Sequence, residues 1–167
     1  MLEIDFDELD TAEDGSSDML HHGQPFSGMA YERDEKTGHL IGLAGYTWGA
    51  PHGPFRSWYH DGRLKSEVFF FKGLRNGPAK EWYEDGRPKS DAYWECDFCV
   101  FRIAWSSRGE RTEEFRMMPT HRDWHLLEQR RRRKGWRVID IDIDLMEFVE
   151  RPHGWQMPDP ANNAPTA

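Results

Sequence analysis

Residues 53–76 read GPFRSWYHDGRLKSEVFFFKGLRN, and residues 77–101 read GPAKEWYEDGRPKSDAYWECDFCVF. The second line repeats the first, because a Gly-Pro pair, a Trp-Tyr pair and an Asp-Gly pair recur at a spacing of 24 residues. Self-similarity at such a period is the sequence signature of repeat architectures, in which each unit packs against its neighbour. The stretch therefore predicts a protein built by repeating one supersecondary unit. It also favours recognition by a repeated surface over catalysis at one point.

Each unit predicts two short strands. The first strand (PFRSWYH or PAKEWYE) runs into Asp-Gly, which predicts a type I′ turn because both central residues of that turn need positive φ. A second strand returns, and its alternate residues Leu64, Ser66, Val68 and Phe70 share one face. The loop KGLRNG then leads into the next unit. Weaker copies at residues 28–52 and 98–118 extend the pattern, so we expect about four hairpin units of ~24 residues in one antiparallel meander.

The flanking segments break the repeat. Residues 2–9 alternate apolar and acidic, which predicts a half-buried strand followed by a polar loop. Residues 120–135 predict an α-helix, with Thr120 as the cap, Asp123 completing a capping box and Gly135 after the last turn. Its basic run, Arg130 to Lys134, suits a solvated helix end that compensates the macrodipole, or alternatively a nucleic-acid patch. Residues 136–149 (WRVIDIDIDLMEFV) alternate again and predict a last strand.

The expected fold is therefore mainly β: an antiparallel β-hairpin repeat meander with one C-terminal α-helix and a final strand. We expect a single domain over residues 1–155 and a flexible, Pro/Asn/Ala-rich tail at 156–167. Within the domain, residues 1–21 are the acidic N-terminal strand and loop and residues 22–118 are the repeats. The helix is expected at 119–135 and the strand at 136–150.

Charge is concentrated at the N-terminus. Residues 1–18 carry eight Asp and Glu and no Lys or Arg, and the remainder is balanced, so the formal net charge of −8 resides in this segment. Such a segment favours a basic partner over nucleic acid, although solubility alone is the other explanation. The sequence has no apolar run of about 18 residues. The N-terminus lacks the basic and apolar regions of a secretory signal, so a soluble cytoplasmic protein is expected.

The pattern GxxxxWYxDGxLKSExxFxxGxxxG, which runs from Gly53 to Gly77, resembles the MORN repeat. It is most similar to the variant found in bacterial antitoxin and immunity-type proteins, and the resemblance covers residues 22–118. It implies a non-enzymatic protein-binding module, without cofactors, that neutralises a cognate toxin by direct binding. Other members of the wider family imply the alternative, a scaffold or a membrane-lipid-associated binding protein.

Three groups of residues are candidates for contact with a toxin that has a basic surface. Two groups are acidic and the third combines aromatic with basic side chains, the usual material of interface hot spots. They are Asp5, Asp7, Glu8 and Asp10; Asp140, Asp142 and Asp144; and Arg56, Trp58, Arg63, Lys80, Trp82 and Arg87. For the third group a second interpretation stays open, because a thin sheet needs aromatic residues on both faces to hold together.

Two patterns resemble metal sites. Cys96 and Cys99 with His121 and His125 provide the ligand types of a Cys2His2 zinc site, but their separation is long for a zinc finger. Reduced thiols and surface histidines are the alternative. The acidic residues at 140–144 begin like a calcium loop, but Leu145 stands where its glycine should follow. No metal and no other cofactor is expected.

Overall fold

The computed structural model describes residues 2–13 and 18–134. The strands are β1 (Leu2–Asp5), β2 (Asp10–Thr11), β3 (Met19–His21), β4 (Gln24–Pro25), β5 (Gly28–Arg33), β6 (Leu40–Thr47), β7 (Ala50–Trp58), β8 (Leu64–Phe71), β9 (Leu74–Trp82), β10 (Pro88–Glu95), β11 (Phe98–Trp105) and β12 (Arg111–Arg116). A 3-10 helix spans Phe6–Glu8, and one α-helix in these residues, α1, spans Trp124–Lys134.

Nine of the strands form one sheet in the order β1-β5-β6-β7-β8-β9-β10-β11-β12. From β5 onward each strand pairs antiparallel with the next one in sequence, for example Phe55 opposite Val68 and Ala79 opposite Ala92. The expectation of a mainly β, meander-like antiparallel sheet with a C-terminal helix is confirmed. Two features depart from a simple meander. Strand β1 runs parallel to β5, and β2, β3 and β4 form a separate three-stranded sheet.

The tight turns lie at the opposite end of the strands from where the sequence predicted them. Two-residue turns with positive φ at both positions are His22-Gly23 (51° and 72°), Trp48-Gly49 (52° and 79°), Lys72-Gly73 (50° and 80°) and Cys96-Asp97 (53° and 69°). Positive φ at both central residues is the conformation of a type I′ turn. Three of the eight positions carry a side chain bulkier than Asp or Cys, which is why sequence reasoning overlooked them.

The Asp-Gly sites form a longer turn, so the type I′ prediction is wrong there. Only the glycine has positive φ, 84° at Gly62 and 82° at Gly86. The Tyr59 N–H donates to the Arg63 carbonyl at 2.8 Å, and the Asp61 carboxylate accepts from the Arg63 N–H at 2.9 Å. The extra residues let Asp61 keep a negative φ and leave the left-handed conformation to glycine alone.

Hydrogen bonds between successive turns recur along both ends of the strands. At the tight-turn end, Gly49 donates to Phe26, Gly73 to Pro51 and Asp97 to Arg75, at 2.8, 2.8 and 3.0 Å. At the Asp-Gly end, the Tyr59 hydroxyl donates to the Trp82 carbonyl at 2.7 Å, and the Tyr83 hydroxyl donates to the Trp105 carbonyl at 2.8 Å. Each turn is therefore held by its neighbour as well as by its own strands.

The N-terminal strand is shorter than the alternation at residues 2–9 predicted. It ends at Asp5, whose side chain accepts from the Asp7 N–H, while the Glu8 carboxylate accepts from the Asp5 N–H at 3.2 Å. This reciprocal capping box starts the 3-10 helix and stops the strand. Ile4 is buried beside Ala30, whereas Leu2 is exposed.

Buried apolar side chains form two clusters at opposite ends of the nine-stranded sheet. The first contains Ile4, Phe26, Ala30, Ala44 and Tyr46. The second contains Cys96, Val100, Met117 and Leu127, with Trp124 packed against it. The first joins β1 and the small sheet to the meander, and the second joins α1 to it.

Helix α1 begins at Trp124, four residues after the predicted cap at Thr120. The Asp123 carbonyl accepts from Leu126 and Leu127, each at 3.1 Å, so Asp123 takes the position that begins the helix. The prediction of a solvated basic end is wrong for Arg131, which is 5 % exposed. Its guanidinium donates to both carboxylate oxygens of buried Glu95, each at 2.7 Å.

Several predicted features lie outside the described residues: part of the loop at 14–17, Gly135, the strand at 136–150 with Asp140, Asp142 and Asp144, and the tail at 156–167. Across residues 2–13 and 18–134, no helix combines the length and apolar character needed to cross a membrane.

Candidate protein-binding surface

One face of the sheet carries an open groove over β1, β5 and β6. The register places Glu3 beside Met29 and Tyr31 beside Leu43, so their side chains share this face. The groove has a volume of about 360 Å³ and is lined by Glu3, Met29, Tyr31, Arg33, Leu40 and Leu43. It therefore combines an aliphatic and aromatic floor with one carboxylate and one guanidinium.

Arg33 is fixed in this groove by two contacts. Its guanidinium lies 5.4 Å from the centre of the Tyr31 ring, a cation–π distance, and donates to the Gly38 carbonyl at 3.1 Å. The side chain is thus positioned before any ligand arrives. Sequence reasoning did not single out any groove residue as a binding candidate, because β5 and β6 belong to a degenerate copy of the repeat.

The N-terminal segment presents exposed carboxylates, and its Phe6 and Leu9 pack against Ile4, Ala30 and Tyr46 on the sheet face opposite the groove. We define the acidic surface as Asp7, Glu8, Asp10 and Glu13, all of which are exposed. The capping box at Asp5 holds the first two, and the pairing of Asp10 with Leu20 holds the third on β2. The candidates Asp5, Asp7, Glu8 and Asp10 are thus brought together by local structure. Asp5 and Glu8 also stabilise the local structure, because they form the capping box of the 3-10 helix.

The candidate cations of the sheet face are engaged in cross-strand ion pairs. The Arg56 Nε lies 2.5 Å from a Glu67 carboxylate oxygen, and the Lys80 Nζ lies 3.0 Å from an Asp91 oxygen. Glu67 is also opposite Lys80 in the register, so the four side chains form a row of alternating charge across β7 to β10. Such a row compensates itself and leaves little net field for a charged partner.

The remaining candidates lie at the Asp-Gly end of the strands. The Arg63 Nη1 donates to the Glu84 carbonyl of the next turn at 2.7 Å, and the Arg87 Nη2 donates to Asp85 at 2.6 Å. The Arg87 side chain lowers the pKa of the Asp85 carboxyl below its ordinary value. Trp58 and Trp82 are half-buried near the same turns. The two arginine side chains are therefore engaged in hydrogen bonds at the turns.

The four possible zinc ligands occupy different settings. Cys96 is fully buried in its turn, and the Cys99 thiol donates to the Phe101 carbonyl at 3.2 Å. Burial raises the pKa of the Cys99 thiol, which disfavours the thiolate that a metal would need. His121 precedes α1 and His125 is exposed on it. In the part of the chain that the structure describes, no three His, Cys, Asp or Glu side chains are grouped as metal ligands.

One exposed aromatic residue was also missed. Trp48 occupies the first position of a tight turn and is 77 % exposed, the highest value among the large hydrophobic residues that the structure describes. The signal was present in the sequence, because Trp48-Gly49 aligns with Lys72-Gly73 one repeat later. It was overlooked because Asp-Gly was taken as the tight turn.

Comparison of the chain with protein-family models, with curated proteins and with solved structures finds no match.

Proposed function

We propose that the chain is a MORN-type repeat protein of four hairpin units. It acts as a non-catalytic, cytoplasmic binding module that neutralises a cognate protein toxin by direct contact. Support for four units comes from the tight turns at 22–23, 48–49, 72–73 and 96–97, whose spacing follows the period of about 24 residues read from the sequence. Support for a binding role comes from the surface described above.

The observation that carries the proposal is the acidic surface. Asp7 and Glu8 stand on a capped 3-10 helix and Asp10 on a short strand. The cations Arg56 and Lys80 of the sheet face are instead paired with the carboxylates of Glu67 and Asp91. A fixed cluster of one sign raises the association rate of an oppositely charged partner. The groove on the other face of the sheet, with Met29, Tyr31 and Leu43, supplies an apolar contact area that charge alone does not. Neutralisation then follows from steric occlusion of the toxin.

The proposal is tested by co-expression with the product of the adjacent gene, if that gene encodes a toxin-like domain. Cells that produce the toxin should grow only when the chain is present. The triple variant Asp7→Lys, Asp10→Lys and Glu13→Lys should abolish the protection, because it reverses three charges of the acidic surface. None of these side chains caps the 3-10 helix, so the variant should still fold. The matched control is Glu35→Lys, Glu84→Lys and Glu110→Lys, which makes the same charge change at exposed turns. Equal protection by both variants, or no protection by the wild type, refutes the proposal.

A further inference from the structure

The turn between β6 and β7 presents Trp48 to solvent in an unfavourable backbone conformation. Its φ is 52° and its side chain is 77 % exposed. The left-handed conformation costs an L-residue about 1–2 kcal/mol relative to glycine. A buried tryptophan offsets such a cost through packing, whereas this side chain remains in water. The indole thus contributes little to the fold through packing and is accessible for contact with another molecule.

The turn is held firmly despite its exposed side chain. The Trp48 N–H donates to the Ser27 hydroxyl at 2.8 Å, and the Gly49 N–H donates to the Phe26 carbonyl at 2.8 Å. The Gly49 carbonyl accepts from the Met19 N–H at 2.9 Å. Three hydrogen bonds from outside the β6–β7 pair therefore fix the indole's attachment point. A fixed anchor loses less conformational entropy on binding than a mobile one.

The small sheet connects this turn to the acidic surface. Strand β3 bonds Gly49 through Met19 and pairs with β2 through Leu20 and Asp10. Strand separations of about 4.8 Å place Asp10 roughly 10 Å from the turn. Asp18 lies closer still, since a Cβ built on Gly49 would be 2.8 Å from the Asp18 Cβ. The turn that carries the indole thus lies near the acidic residues Asp10 and Asp18.

We propose that Trp48 is the anchor of the binding surface, inserted on complex formation into an apolar pocket of a partner protein whose rim is basic. The inference rests on the proposed binding function and names its central contact. Tryptophan is the residue most enriched among interface hot spots, where a few side chains carry most of the binding energy. The acidic residues near the turn favour a partner whose pocket has a basic rim. Because the turn is held by hydrogen bonds, we expect the indole to insert without rearrangement of this chain.

The stability of the free protein provides a first test. Trp48→Gly removes the indole and accepts the positive φ, so the midpoint of thermal unfolding should stay equal or rise. A midpoint several degrees lower would show that the indole supports the fold, and would overturn the inference. Lys65→Gly, at an exposed strand position of ordinary φ, is the control and should lower the midpoint.

Photo-cross-linking provides the second test. The full chain, with p-benzoylphenylalanine at position 48, is irradiated in the cells that encode it. A second sample carries the same group at Met118, which is 57 % exposed and lies beyond β12. A protein captured only from position 48 is then purified and titrated against wild type, Trp48→Gly and Met118→Ala. We expect affinity to fall about 30-fold or more for Trp48→Gly, and to stay unchanged for Met118→Ala.

These outcomes distinguish the role of Trp48 as an anchor from the proposed antitoxin function. If no protein is captured from position 48 or 118, or if capture from the two positions is equal, Trp48 is not the anchor. The same conclusion follows from equal affinity of wild type and Trp48→Gly for the captured protein. If the chain protects cells from the toxin as expected and Trp48→Gly still binds that toxin as tightly as the wild type, Trp48 is not the anchor and the proposed function stands. If the protein captured at position 48 is not a toxin but requires Trp48, the antitoxin role falls and the anchor stands.

Discussion

The buried pair Glu95–Arg131 is the residue-scale interaction on which α1 depends. Both side chains are almost fully buried and meet through two parallel hydrogen bonds of 2.7 Å. Arg131 also lies 5.5 Å from the centre of the Trp124 ring, and Arg130 donates to the Cys96 carbonyl at 2.5 Å. A buried pair contributes modestly to net stability, because both charges lose their hydration. Removing only one of the two side chains is costly, because the charge of the other then remains buried and unpaired.

We therefore predict that Arg131→Met lowers the free energy of unfolding by about 3–5 kcal/mol. The double variant Glu95→Leu with Arg131→Met should recover most of that loss, because no charge is left in the core. Denaturant unfolding followed by circular dichroism measures both. The control is Arg132→Met, at a side chain that is 82 % exposed and paired with Glu128, for which less than about 1 kcal/mol is expected. Equal effects at positions 131 and 132 would contradict the packing described for α1.

Asp34 offers a second prediction at the residue scale. Hydrogen bonds from the Thr37 hydroxyl and main chain, at 2.8 and 2.7 Å, lower the pKa of its carboxyl from 3.8 to about 2. Because the pKa of Asp34 is lower in the folded state than in the unfolded state, the ionised carboxylate stabilises the fold above about pH 4. This contribution to the free energy of unfolding is lost as the pH falls toward 2. Thr37→Val should raise the pKa of Asp34 toward 3.8, as measured by carbon-detected NMR titration. An unchanged pKa would show that Thr37 is not its main cause. Lys36→Ala, which keeps its main-chain donor to Asp34, serves as the control and should leave the pKa in place.

At the element scale, the two kinds of turn carry different costs. Lys72 has a φ of 50° in a tight turn, whereas Gly62 meets the positive φ of its longer turn without a side chain. We predict that Lys72→Gly raises the free energy of unfolding by about 1 kcal/mol, because the left-handed conformation no longer meets a Cβ. Thermal or denaturant unfolding measures the change. Destabilisation by Lys72→Gly would contradict the assignment of the tight turn to residues 72–73.

The elements also show where sequence reasoning succeeds and where it ends. Alternation predicted the strands around residues 64–71 and 88–95, because each buries one face and the period of 2 survives in the sequence. It failed at residues 6–8, where a local capping box overrides the alternation. It also misplaced the tight turn, because Asp-Gly serves both turn types and the period alone does not choose between them. The start of α1 was misplaced for a similar reason, because Thr120 and Asp123 can both cap a helix and the sequence does not choose between them. The helix begins at Trp124, directly after Asp123.

At the scale of the whole molecule, the strand order sets which residues meet. The acidic N-terminal candidates lie near one another because they are neighbours in sequence. The groove was not predicted, because β1 pairs directly with β5, to which it is linked through the strands of the small sheet, and this pairing brings Glu3 beside Met29. No local pattern encodes that parallel contact. The pairing of Arg56 with Glu67 likewise depends on cross-strand register, which the sequence suggests only after the turns are placed.

The charge distribution predicts how the complex should form. If the acidic surface steers a basic partner, the association rate should fall at least roughly tenfold between low and high salt. The dissociation rate should change much less. Stopped-flow measurements with the wild type and the Asp7→Lys, Asp10→Lys, Glu13→Lys variant test this, and the variant should associate slowly at every salt concentration. A variant that associates as fast as the wild type would remove the steering role.

Hydrogen–deuterium exchange of the chain, with and without its purified partner, locates the binding surface. We expect slower exchange on binding across residues 6–11, which carry most of the acidic surface, and in β5, which carries part of the groove. We expect no change in the Asp-Gly turns at 59–63 and 83–87, which are already tied to their neighbours. Slower exchange confined to those turns, with residues 6–11 and β5 unaffected, would contradict the placement of the binding surface.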